Sequence, residues 1–166
     1  MTILADLDEH EQRLLLRSLQ AAAVAISAAS PGRPEETVSE GVAAATFILE
    51  RRPGDVGNSL ISSVILAIEE RLRTEQPFPD FVEVARAQGA RESALTTLRD
   101  AAALLDSRAT TDEAAGYKRW LMTIAEHVAT AGKEDQGLLG HGGVLVNTAE
   151  EAALREVAAT LGLASV

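Results

Sequence analysis

Ala25-Ile26-Ser27-Ala28-Ala29, a turn through Ser30-Pro31-Gly32, then Glu35-Glu36 and Val42-Ala43-Ala44 form a run with a counterpart near the other end of the chain. There, His127-Val128-Ala129-Thr130-Ala131 leads through a glycine-rich turn to Glu150-Glu151 and then Val157-Ala158-Ala159. Each run reads as an Ala-rich helix, a turn, and a second helix opened by two acids, which suit the positive end of a helix. The alignment predicts two related helical hairpins, over about residues 12–50 and 111–162, linked by helices between about 56 and 106. It places Val42 and Val157 at equivalent inward positions, with additional residues in the second turn.

Helical periodicity extends outward from these hairpins. Asp8 followed by Glu11 has capping-box spacing and starts the first helix, whose Leu15, Leu19, Ala22 and Ile26 share one face. Pro34 fits the first turn of the second helix, and Val38, Val42, Ala45 and Leu49 are predicted as its inner stripe. Ile61, Val64, Ile65, Ile68 and Leu72 give the face of an apolar helix over 59–72, read as the central one. A short helix through Phe81, Val82 and Val84 stops at Gly89. The next runs from about Ala90 to Asp106, with Leu95, Leu98, Ala102 and Leu105 inward. Thr110 and Glu113 repeat the capping box ahead of Leu121, Ile124, Val128 and Ala131, with Gly116 marking a break or a close approach. Thr148 and Glu151 open the last helix, faced by Leu154, Val157, Ala158 and Leu161 and ended by Gly162. Only Val144-Leu145-Val146 has strand-like composition. The expected fold is all-α, a single-domain bundle of about seven helices.

Composition narrows the function classes. Hydrophobic residues make up 46% of the 166 residues, enough for one substantial core, while aromatics are only 3%. The net charge of −10 repels phosphate backbones and anionic lipid, which excludes general binding to nucleic acid or a membrane surface. Acidity suits a cation or a basic protein partner, and it also serves solubility. With no cysteine there is no disulfide, thiol nucleophile or thiolate metal site. The apolar run 59–68 is too short to span a bilayer. Met1-Thr2-Ile3-Leu4-Ala5-Asp6 lacks the pattern of a secretory signal, so the expected location is cytoplasmic.

Glu150-Glu151-Ala152-Ala153-Leu154-Arg155-Glu156-Val157-Ala158, followed by Leu161-Gly162, resembles the TerB-like family of bacterial proteins, associated with tellurite resistance and stress response. The resemblance covers the two hairpins and implies an all-helical fold. It also implies that acidic turn residues bind a divalent cation. The first turn, Ser30-Pro31-Gly32-Arg33, departs from the family pattern because it lacks an Asp and adds a positive charge. The second turn carries Glu134 and Asp135 ahead of the long insertion that ends at Glu150. Glu134, Asp135 and Glu150 are therefore the candidate metal ligands, although a hard cation takes six or more oxygens and no EF-hand loop is present.

Other groups were weighed for chemistry. Asp6 and His10 stand four apart, a spacing that sets two ligands on one helix face. His127 reads as a surface histidine. His141, flanked by glycines in the loop Gly132–Asn147, is either a ligand, an acid/base group or an exposed loop residue. Tyr117 and Trp120 read as core. No Gly-x-Ser-x-Gly elbow, phosphate loop or Glu-x-x-His pattern is present. The functional expectation is a non-enzymatic stress-response module acting by cation or protein binding. The alternative is a metal-free interaction or assembly module, including a homo-oligomer.

Overall fold

The computed structural model describes residues 1–50, 57–76, 78–134 and 148–164, with the side chains of 132–134 left out. Among the described residues there are seven α-helices and no strand: α1 Glu9–Ser27, α2 Pro34–Leu49, α3 Ser59–Arg73, α4 Phe81–Arg86, α5 Ala90–Arg108, α6 Thr111–Glu134 and α7 Thr148–Thr160. A 3-10 turn, Leu4–Asp6, precedes them.

The helix starts follow local chemistry. Asp8 accepts hydrogen bonds from the amides of His10 at 2.8 Å and Glu11 at 2.9 Å, while Glu11 accepts one from the Asp8 amide at 2.9 Å. The same reciprocal box joins Thr110 and Glu113 at the head of α6. Asn58 caps α3 through its carbonyl oxygen, and its amide nitrogen donates to the Glu113 carbonyl at 3.0 Å. That approach explains Gly116: a Cβ there would lie 2.6 Å from the Asn58 amide nitrogen. The glycine is a point of close packing in an unbroken helix.

α1 lies at the centre, packed most extensively against α5 and α6 and touching α2, α3, α4 and α7 as well. Ala21 through Ser27 are all buried. Small side chains around the whole circumference let neighbouring axes come close from every side. The centre expected for 59–72 is thus occupied by α1. α3 is peripheral, resting on α6, α1 and the N-terminal turn. Its Leu60, Ile61, Val64, Ile65 and Ile68 are buried, but Leu72 is 52% exposed because the helix runs past the core.

The inward faces of α5 and α6 agree with their periodicity. Leu98, Leu105, Leu121, Ile124 and Val128 are buried. Tyr117 and Trp120 meet edge to face with ring centroids 5.5 Å apart, and the Tyr117 hydroxyl donates to the Leu15 carbonyl at 3.1 Å. Burial pushes the Tyr117 phenol well above its ordinary range, so it remains a neutral donor.

α2 departs from expectation. The residues it buries are Thr37, Glu40, Ala44 and Phe47. The predicted inner stripe faces solvent, with Val38 50%, Val42 60% and Leu49 41% exposed. Val157 is buried in α7, so Val42 and Val157 are not equivalent inward positions. The helix has two apolar faces, and the one carrying the aromatic ring is packed against α6 and α1.

Candidate functional site

Two features stand apart from ordinary core packing. The first is an apolar groove of 220 Å³ along α2. It is lined by Leu19 and Ala23 of α1, Ile48 and Leu49 of α2 and Leu72 of α3, with Phe78 beside them. Gly41 shapes it from beneath: a Cβ there would stand 2.6 Å from the Phe81 ring. The missing side chain therefore lets α4 dock against α2. Arg71 lies over the Phe78 ring at 5.1 Å, which holds that ring in place.

Val38, Val42, Ala45 and Leu49 run beside this groove as one exposed line at helical spacing. Ala45 and Leu49 belong to both the line and the groove. Together they make a continuous apolar surface, of the kind that marks an interaction site. A larger cleft of 380 Å³ between α1, α4 and α5 has a different character. Arg17, Asp80, Glu83 and Gln88 among its lining residues are exposed.

The second feature is acidic. Glu40 and Glu150 are each only 6% exposed. Ser27, at the end of α1, donates a hydrogen bond to the Glu40 carboxylate. Burial raises the pKa of Glu40; the Ser27 hydrogen bond opposes this, and the charges of Glu150 and Glu36 reinforce it. Glu36 also reaches back to the start of α2, accepting from the Arg33 amide at 3.1 Å and its Nε at 3.2 Å. The charges of Glu36 on α2 and Glu150 on α7 therefore both bear on Glu40, beside the end of α1.

Of the three predicted metal ligands, Glu150 is brought into this acidic group. The Glu134 side chain and Asp135 lie outside the described residues, as does His141. Glu40 was missed. Its four-residue spacing from Glu36 was the available signal, obscured by assigning the opposite face of α2 to the core. Among the described residues, no three Asp, Glu or His side chains are grouped so as to hold a metal ion. Asp6 and His10 do not share a helix face, because Asp6 belongs to the 3-10 turn, where it accepts from the Ile3 amide at 2.9 Å. His127 is half-buried against Phe47 and is not a free surface histidine.

No described helix is long and apolar enough to cross a membrane. No protein-family model, curated protein or solved structure matches the chain.

Proposed function

We propose that this chain is a non-enzymatic protein-interaction module of the cytoplasmic, TerB-like stress-response kind, binding through the apolar face of α2 and the groove beside it. The observation that carries the reading is the outward line Val38, Val42, Ala45 and Leu49, continuous with the groove. Burying a whole Val or Leu side chain is worth about 1.5–3 kcal/mol, so covering these half-exposed residues gains roughly 1 kcal/mol each before the costs of association. The stress-response setting rests on the resemblance of the second hairpin to TerB-like proteins.

A titration of methyl-labelled protein with a synthetic leucine-rich amphipathic peptide tests the reading. Saturable shifts confined to Val38, Val42, Ala45 and Leu49 and to the groove residues Leu19, Ala23, Ile48 and Leu72 support it. Scattered or absent shifts count against it.

Cation binding is the second reading, supported by the buried carboxylates Glu40 and Glu150 and by the effect of the Glu150 charge on Glu40. Two buried carboxylates begin a site for a hard ion, and Glu134 and Asp135 of the predicted set would have to contribute further oxygens. Melting curves with calcium, magnesium, manganese and zinc test it, with Glu150→Gln as the control. An ion at 100 times its dissociation constant adds about 2.7 kcal/mol to a fold it alone binds. Unshifted melting with every ion removes this reading.

A further inference from the structure

We infer that the groove is a site for a small straight-chain carboxylate, with its alkyl tail in the groove and its head on Arg71. The inference goes beyond the interaction reading, because it needs neither the valine line nor a protein partner. The lining suits an alkyl chain. Among the described residues, no side chain lining the groove is charged, and its single polar one, Gln20, already donates to the Pro79 carbonyl at 2.9 Å. A ligand with polar groups along its length would leave them unpaired there. Water takes about 30 Å³ per molecule and a methylene is of similar size, so 220 Å³ holds a tail of roughly seven carbons.

Arg71 supplies the charge. It stands one turn beyond the groove residue Ile68 on α3, and the Phe78 ring beneath its guanidinium is itself part of the lining. Arg71 is half-buried, makes no ion pair among the described residues, and has its Nε buried without an acceptor. Glu70, next to it in sequence, is held by Arg73 at 2.5 and 3.0 Å. Arg17, Arg99 and Arg119 also lack an ion pair among the described residues, but they are exposed to water. A guanidinium drawn partly out of water with only an aromatic face against it is short of an anion, and a carboxylate answers it with two parallel hydrogen bonds. On a chain of −10, one negative charge is admitted more readily than the nearly two of a phosphate monoester.

Octanoate, with seven carbons behind its carboxylate, is the probe. Titrated into the full chain, it should saturate one site and shift the methyl signals of Leu19, Ala23, Ile48 and Leu72 without moving Val38 or Val42. Hexanoate should bind roughly fifteenfold more weakly, about fourfold for each methylene lost from the groove. Ala45→Phe, which fills the groove from an exposed position, should abolish binding. Arg71→Gln should weaken octanoate about tenfold or more, the scale of a charged hydrogen bond, and leave octan-1-ol unaffected. Equal losses for octanoate and octan-1-ol would mean that Arg71 only steadies Phe78, and would overturn the assignment of the head group. No saturable binding, affinity indifferent to chain length, or binding that survives Ala45→Phe overturns the inference. A wild type that binds the amphipathic peptide but not octanoate defeats this inference and leaves the interaction reading standing. Octanoate bound as described, with no response to the peptide, supports the inference and counts against the interaction reading.

Discussion

Phe47 of α2 meets the His127 ring of α6 edge to face, with centroids 4.2 Å apart. The contact fixes the rotation of α2 about its axis. With Phe47 inward, Ala44 and Glu40 follow on the same face, and the valine line is turned to solvent. Phe47→Ala should therefore cost about 3–5 kcal/mol, the range for emptying a buried aromatic site. Val42→Ser should change stability by less than about 0.5 kcal/mol in dilute protein, as for an ordinary surface position. Urea unfolding of the two variants checks both. A large loss at Val42 with little at Phe47 would reverse the assignment of faces.

Glu40 gives the fold a pH dependence of definite sign. Its pKa in the folded chain is raised from 4.5 by burial and by the neighbouring carboxylates. The folded state then holds this proton more tightly than the unfolded state does. Its contribution is full below 4.5 and is lost as pH rises through the folded value. Glu40→Gln removes the penalty of a buried charge while keeping a hydrogen-bond acceptor for Ser27. The variant should be more stable than wild type in mildly alkaline solution and should flatten this part of the pH profile. Urea midpoints from below pH 4.5 up to mildly alkaline pH provide the measurement. A Gln variant weaker than wild type in alkali would show that ionised Glu40 is being used, as a cation site requires.

Glu113 runs the other way. Its carboxylate accepts from the Thr2 amide at 2.8 Å and the Thr110 hydroxyl at 2.9 Å, and its pKa falls to about 2 with the Thr2 amide as the largest cause. Its stabilisation is present above the ordinary value of 4.5 and is lost as pH falls toward 2. Glu113→Gln keeps an acceptor but removes the charge, so it should cost about 0.3–1 kcal/mol at neutral pH, the scale for a carboxylate at a helix start, and little in strong acid. Hydrogen exchange should quicken at Leu4, whose amide donates to Ser63 at 2.8 Å, as the N-terminal segment loosens. Unaltered exchange there would mean that Glu113 caps α6 without holding that segment.

Much of the architecture was legible because it is local. The caps at Asp8 and Thr110 need only a few consecutive residues, and α5 and α6 each have one apolar face, so period and burial agree. α2 was misread because Val38-Val42-Ala45-Leu49 and Ala44-Phe47 are both apolar at helical spacing. Tertiary contacts choose between them: Phe81 over Gly41, and His127 against Phe47. The central position of α1 was hidden for a related reason, since alanines on every side of a helix leave a weak period. The effect of the Glu150 charge on Glu40 links residues on different hairpins, and no spacing within either helix reports it. Glu150 was named from the sequence as a candidate metal ligand because it is an acid at a helix start beside the long turn, a reading that gave no sign of Glu40.

The most direct measurement is thiol labelling of two single-cysteine variants in dilute, folded protein. Val42→Cys and Ala44→Cys stand two residues apart on opposite faces of α2, and the chain has no other thiol to compete. Cys at position 42 should react at nearly the rate of an unfolded control, and Cys at position 44 only as fast as the helix opens. Fast labelling at 44 with protection at 42 would put the valine line in the core and contradict the account.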